Sequence, residues 1–183
     1  MGVSHFMVYK PVLFAAMLKH HGQLGPAEIA GKREWTYRQV LWQAKQLGVT
    51  FQMPAAHPFN PLALLRLAVA CGRPNPNRYV CETIFHHVWH GGEVADDAQR
   101  LQHLVQQLNP ALAPDSAEVK AQLKANTEEA IAHGVFGVPT FAVDDKLFWG
   151  LDALPMMRAY LDGDQWFDTH WDAAASIQQG AKR

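Results

Sequence analysis

Apolar residues recur at helical spacing through most of the chain, and capping residues or glycines bound several of these stretches. The stretch from Trp35 to Leu47, for example, carries apolar residues at helical spacing and stops at Gly48; these residues are Trp35, Val40, Leu41, Ala44 and Leu47. The same reading predicts helices over Leu13 to His20, Trp35 to Leu47, Asn60 to Gly72, Asn77 to His90, Asp96 to Leu108, Ser116 to His133 and Asp152 to Leu161.

Strand patterns occur at both ends of this helical region. Phe6 to Leu13 mixes β-branched and aromatic residues, which predicts a strand. Phe141 to Val143 and Leu147 to Trp149 predict a hairpin joined by Asp144-Asp145-Lys146. The tail from Gly163 has few apolar residues apart from Trp166, Phe167 and Trp171, so we expect a peripheral helix or a partly mobile segment.

The corner before the hairpin carries the most informative bond, Val138-Pro139. A proline at a strand entrance cannot donate to the ladder, and X-Pro is the bond type in which cis is least costly. A trans proline opening an edge strand is the plainer interpretation. A cis bond would turn the backbone N–H and C=O of Val138 outward, where they can pair with an extended peptide.

Composition limits the class of protein. The chain has 183 residues, with 49% hydrophobic and 18% charged, which suits one globular domain or one domain with a large insertion. Lys and Arg number 16 against 17 Asp and Glu, which argues against nucleic acid or an anionic membrane as partner. No signal peptide or membrane span is predicted, so we expect a cytoplasmic protein. Cys71 and Cys81 form neither Cys-x-x-Cys nor a metal spacing, which argues against a thiol oxidant and predicts a small apolar thiol in a helix for each.

Several segments, in order, resemble one family. Gly134 to Phe141 followed by Leu147 to Asp152 is similar to the C-terminal half of the thioredoxin fold in 2-hydroxychromene-2-carboxylate isomerases and kappa-class glutathione transferases, which are DsbA-like proteins. Upstream, the segments Tyr9 to Phe14, Lys19 to Pro26 and Pro54 to Asn60 resemble the same family. The resemblance runs from about Val8 to about Leu161 and favours the cis form of Val138-Pro139.

The resemblance implies an α/β, thioredoxin-like (DsbA-like) sheet with a large all-helical insertion. Residues 1–13 and 134–162 would form the thioredoxin-like part, 14–133 the insertion and 163–183 a C-terminal tail. The family's first strand–helix unit, with its Asp-Phe-x-Ser-Pro-type motif, has no counterpart in Met1 to His5, so no catalytic residue is identified. We therefore expect poor catalysis, and a homodimer that covers the unpaired edge of the Phe6–Leu13 strand.

The resemblance also implies glutathione as cofactor. Its cysteinyl backbone would pair at Val138 and Pro139, and its γ-glutamyl group would meet the helix start at Trp149, Gly150, Leu151 and Asp152. Asp152 would accept from the ammonium group, or act as a simple N-cap, and the two roles are compatible. Gln23 and Lys32 stand where the family contacts glutathione, although either can equally be a solvated surface residue.

The implied reaction is glutathione-dependent cis–trans isomerisation of a small aromatic substrate of the 2-hydroxychromene-2-carboxylate type, in aromatic catabolism. Lys19 would hold the substrate carboxylate, and His57 replaces an aromatic hydroxyl that contacts substrate in the isomerases. The alternatives are a kappa-like glutathione transferase and a catalytically impaired thioredoxin-fold protein. His86, His87 and His90 share a helix face without a further ligand of matching spacing, so no metal is expected.

Overall fold

The structure is a computed structural model that describes residues 7–72, 75–178 and 180. These residues fall into two compact units, one reaching to Phe136 and the other beginning at Gly137. We refer to them as the helical unit and the hairpin unit. The predictions for Met1 to His5 and for Phe6 lie outside the described residues.

The helical unit contains six of the seven predicted helices, and three of them begin at a side-chain cap. Asn77, Asp97 and Ser116 each accept a hydrogen bond from the backbone N–H three residues on, which satisfies one orphan donor of the first turn. One difference is that the second helix begins at Ala30, five residues before the prediction. The helices are α1 (Phe14–His20), α2 (Ala30–Gln46), α3 (Leu62–Cys71), α4 (Arg78–Trp89), α5 (Ala98–Leu108) and α6 (Ala117–Ala132).

The core of the helical unit surrounds α3, whose residues are apolar except for Arg66. Leu64 and Leu67 pack with residues of α4 and α5, whereas Val69 and Ala70 pack with Val119 and Leu123 of α6. A helix with apolar residues on more than one face is stable when neighbouring helices cover those faces. The short helix therefore organises the unit although it spans only 10 residues.

The strand predicted over Phe6 to Leu13 is wrong for its described residues, which form no secondary structure. Two of their backbone groups bond to side chains of α6. Asn126 donates to the carbonyl oxygen of Pro11 at 3.2 Å, and the N–H of Leu13 donates to the hydroxyl of Thr127 at 3.0 Å. The open strand edge that led us to expect a homodimer is thus absent from residues 7–13, and the homodimer itself stays a prediction.

We expect Thr127→Val to lower the free energy of unfolding by about 1–3 kcal/mol, the cost of leaving the part-buried N–H of Leu13 without its acceptor. Thr127 is buried and its hydroxyl both accepts from Leu13 and donates to Leu123. Valine keeps the β-branched shape, so helix propensity is unchanged. Urea denaturation measures the difference. Thr83→Val on α4 is the matched control, and an equal effect there would contradict the role of the Leu13 contact.

The hairpin unit begins at the Gly137 corner and contains an antiparallel pair, β1 (Thr140–Val143) and β2 (Lys146–Trp149). Thr140 lies opposite Trp149 and Val143 opposite Lys146, so Asp144 and Asp145 make a two-residue turn. Asp144 has a φ of 53°, the left-handed conformation that such turns require. A 3₁₀ turn (Leu151–Ala153) then leads into α7 (Leu154–Leu161).

The tail is part of the hairpin unit's core, which corrects the expectation of a peripheral segment. Its short helix α8 (Trp166–Thr169) buries Phe167 against Phe148 of β2 and Met157 of α7. The rings of Trp171 and Phe148 contact each other in a tilted arrangement. The ammonium of Lys146 lies 5.5 Å from the Trp171 ring centroid. A two-stranded hairpin is marginal alone, and the tail supplies the apolar surface that it needs.

None of the helices in the described part of the chain has both the length and the apolar character needed to cross a bilayer.

Candidate functional site

The corner at the start of the hairpin unit has the form that the resemblance implied. The Val138–Pro139 peptide bond is cis, which confirms the prediction. The carbonyl oxygen of Pro139 accepts from the N–H of Gly150 at 2.9 Å, which joins the corner to the end of β2. Val138 is 41% exposed, and within the described residues neither its N–H nor its C=O has a hydrogen-bond partner. This residue therefore presents one donor and one acceptor to a ligand.

Two glycines allow neighbouring side chains to pack closely against the backbone of this corner. A side chain at Gly137 would collide with the indole of Trp149, which lies against the corner backbone. Gly150 has a φ of 87°, and a Cβ there would come within 2.5 Å of the Asp152 carboxylate. The carboxylate of Asp152 is thus folded back over Gly150, whose N–H bonds to Pro139 of the corner.

Asp152 is not the N-cap of the last helix, which corrects one of the two roles considered for it. It lies in the 3₁₀ turn, Ala153 takes the capping position of α7, and neither helix start has a side-chain cap. Asp152 is exposed, and its carboxylate has no hydrogen-bond partner among the described residues. The N–H groups of Leu151 and Asp152 are also unpaired there. The turn therefore offers an acceptor carboxylate beside two donors.

The remaining predicted contact residues lie in the helical unit, and the described residues show no hydrogen bond or ion pair that links them. Lys19 is exposed in the last turn of α1. Gln23 is exposed in the following loop, where its N–H donates to Leu18. Lys32 is exposed in the first turn of α2. Their assignment as ligand contacts stays a prediction.

His57, in contrast, has a defined environment. Its imidazole Nδ1 and its backbone carbonyl oxygen both lie 2.9 Å from the hydroxyl of Tyr37 on α2. The rings of Trp89 and Phe59 lie 5.7 and 6.0 Å away, centroid to centroid. Burial among these rings lowers the pKa of His57 below 6.5, so the neutral imidazole is favoured. Sequence reasoning missed Tyr37, because its only signal was a polar aromatic position within a helical pattern.

The histidines in the last turn and at the C-cap of α4 have defined contacts. The rings of His86 and His90 stack in parallel with their centroids 3.8 Å apart. His87 is engaged with the carbonyl oxygen of Ala95 at 2.9 Å, at the edge of an open cleft of about 640 Å³ between α4 and α5. In the described part of the chain, no group of three or more His, Cys, Asp or Glu side chains is arranged to hold a metal ion.

The two cysteines behave as the small apolar thiols that the sequence predicted. Cys71 ends α3 and Cys81 lies in the first turn of α4, both half-buried and free. Burial raises the pKa of each thiol, so neither is an activated thiolate.

Comparison with known proteins finds one family and several similar proteins. The model of the DSBA-like thioredoxin domain family matches residues 5–162. The chain is 25% identical over 173 residues to "Glutathione s-transferase kappa 2" of Caenorhabditis elegans, which covers 83% of this chain and 76% of the relative. A solved structure of 2-hydroxychromene-2-carboxylate isomerase superposes with a TM-score of 0.73 and 20% identity, over 92% of this chain and 84% of that one. The thioredoxin-like fold class predicted from the sequence is thereby confirmed.

Proposed function

This chain belongs to the DSBA-like thioredoxin domain family, and from that premise we propose that it is a glutathione-dependent cis–trans isomerase of 2-hydroxychromene-2-carboxylate-type compounds. The observations that carry the proposal are the unpaired backbone of Val138 and the unpaired carboxylate of Asp152, which lie on either side of the hydrogen bond between Gly150 and Pro139. An α-amino acid group and an extended peptide are the two ends of glutathione that these features suit. The likeness to a kappa-class glutathione transferase supports the same ligand.

Different residues of the corner are proposed to bind different groups of glutathione. The N–H and C=O of Val138 pair with the cysteinyl backbone, as an added strand pairs with a sheet edge. Asp152 accepts hydrogen bonds from the ammonium group, while the N–H groups of Leu151 and Asp152 donate to the neighbouring carboxylate. When bound there, glutathione supplies a thiol nucleophile.

Residues of the helical unit would hold the aromatic substrate. Lys19 is an exposed cation with no ion pair among the described residues, and it is proposed to bind the substrate carboxylate. Gln23 and Lys32 are proposed to meet the glycyl end of glutathione, where an amide and an ammonium complement a carboxylate.

A kappa-like glutathione transferase is the second candidate, and the likeness to the Caenorhabditis elegans protein favours it. The two functions share the glutathione site and differ in the fate of the adduct. An isomerase releases the thiol again, whereas a transferase releases a stable thioether.

The test is to supply 2-hydroxychromene-2-carboxylate with glutathione and to analyse both products and thiol. We expect the trans open-chain isomer to form, with the thiol concentration unchanged at the end. S-Methylglutathione is the control, since it fills the same site without a nucleophile, and it should support no conversion. Conversion at one rate with glutathione, S-methylglutathione or neither would contradict the proposal. Consumption of thiol with chlorodinitrobenzene, and none of the isomerisation, would favour the transferase.

A further inference from the structure

The described contacts of His57 fix which of its two ring nitrogens carries the proton. The hydroxyl of Tyr37 lies 2.9 Å from the His57 carbonyl oxygen, and a carbonyl oxygen can only accept. The hydroxyl proton is therefore used there. The same hydroxyl oxygen lies 2.9 Å from Nδ1, and this contact is a hydrogen bond only if Nδ1 carries a proton and donates.

The other ring nitrogen, Nε2, is then an unprotonated acceptor. Nε2 has no hydrogen-bond partner among the described residues. It is not one of their buried polar atoms without a partner, so it is exposed to solvent. The described ring neighbours of His57 are Tyr37 on α2, Phe59, and Trp89 on α4, and no charged side chain bonds to it. This neutral imidazole is a base with a fixed tautomer in an aromatic setting.

The proposed substrate class contains a step that needs such a base. A 2-hydroxychromene is a cyclic hemiketal whose double bond lies within a six-membered ring, where a trans geometry cannot form. The ring must open before the double bond can rotate. Opening removes the proton from the hemiketal hydroxyl, turns that C–O bond into C=O, and breaks the ring C–O bond to release a phenolate, which then takes up one proton.

We propose that His57 catalyses this ring opening, with Nε2 taking the hemiketal proton and returning it to the phenolate oxygen, and that Tyr37 is the positioning residue that fixes its tautomer. The same imidazole takes up the proton and returns it, so the step needs no further reactant. Tyr37 accepts from Nδ1–H throughout, so the imidazolium formed between the two transfers keeps its hydrogen bond. The inference rests on the proposed substrate class, but the step needs no glutathione.

The first test is the ring-opening rate without glutathione, followed by NMR exchange between the closed form and the open cis ketone. We expect the chain to accelerate this exchange over buffer, and His57→Gln to lose about 10²-fold or more of the acceleration, the usual contribution of a general acid–base. His103→Gln, at an exposed histidine of α5, is the control and should retain the rate. Equal rates in the protein and its His57→Gln variant would overturn the inference.

The second test reads the tautomer and needs no substrate. Nitrogen-15 NMR of the imidazoles should place the proton of His57 on Nδ1 in the unmodified chain. In Tyr37→Phe the proton should redistribute toward Nε2, and ring opening should slow with the fold unchanged. Tyr79→Phe, at an exposed tyrosine of α4, should change neither. A proton on Nε2 in the unmodified chain would overturn the inference, even if glutathione-dependent isomerisation were observed.

The pH profile supplies a readout that a purely structural histidine would not give. Burial lowers the pKa of His57, so the base stays neutral down to a pH below 6.5 and loses its function only as pH falls through that lowered pKa. Ring opening by the chain should therefore decline on an acid limb below pH 6.5. The limb should be absent in His57→Gln, and its persistence there would assign the limb to another group.

Discussion

Asp152→Asn should weaken the binding of glutathione about tenfold while leaving the fold intact. The carboxylate is the acceptor proposed for the ligand's ammonium group, and a hydrogen bond to a charged group contributes about 1.5–3 kcal/mol, with the low end appropriate to an exposed site. Asparagine has the same shape but carries no charge. Stability should hardly change, because Asp152 caps no helix and has no partner among the described residues. Isothermal titration calorimetry measures the affinity.

The control for this change is Asp168→Asn, which removes an exposed carboxylate from α8 in the same unit. It should leave the affinity for glutathione unchanged, which separates a local contact from a change in net charge. A folded Asp152→Asn protein with unaltered affinity would show that the ammonium group is bound elsewhere.

Phe148→Ala should lower the free energy of unfolding of the hairpin unit by about 3–5 kcal/mol, the usual cost of emptying a buried aromatic site. Phe148 is 2% exposed and contacts Tyr160, Phe167 and Trp171 with ring centroids 5.5 to 6.2 Å apart. It lies one residue before Trp149, so its loss should also loosen the glutathione corner. Hydrogen exchange of the β1 and β2 amides measures the opening of this unit.

Phe85→Ala is the matched control, since Phe85 is 61% exposed on α4 and has no buried cavity to leave. It should change stability by well under 1 kcal/mol, as expected for a surface position. Equal effects of the two substitutions would contradict the account of the hairpin unit's core, including the role given to the tail.

Local signals were sufficient for most helices and for the hairpin. Asn77 and Ser116 each precede a helix that starts at the next residue, because a side chain that satisfies an orphan N–H fixes where a helix can begin. The two-residue turn at Asp144-Asp145 likewise sets the hairpin register. In these cases the determining interaction lies within a few residues along the chain.

Long-range contacts decided what the pattern could not predict. The segment before α1 has the residue types of a strand, but its backbone bonds to Asn126 and Thr127, more than 100 residues away, so no ladder forms. In the sequence Phe167 and Trp171 are isolated aromatic residues, whereas in the structure both pack against Phe148. The pair of Tyr37 and His57 is separated by 20 residues and follows no periodicity, so the tautomer of His57 was invisible in the sequence.

The candidate glutathione site, too, was predicted only in part from the sequence. The corner residues Val138, Pro139 and Asp152 were predicted from a resemblance to one family, and the hairpin register pairs Thr140, just after the corner, with Trp149, just before Gly150. That Asp152 is a free acceptor, and not a cap, depends on the 3₁₀ turn and could not be predicted from spacing alone.

The most direct test of the glutathione corner is an amide NMR titration of the nitrogen-15-labelled chain with glutathione. We expect saturable shifts centred on the amides of Val138, Leu151 and Asp152. S-Methylglutathione should reproduce these shifts, and in Asp152→Asn they should saturate only at higher glutathione concentration. Saturable shifts confined to other residues, or no saturable shift at all, would contradict the claim that this corner binds glutathione.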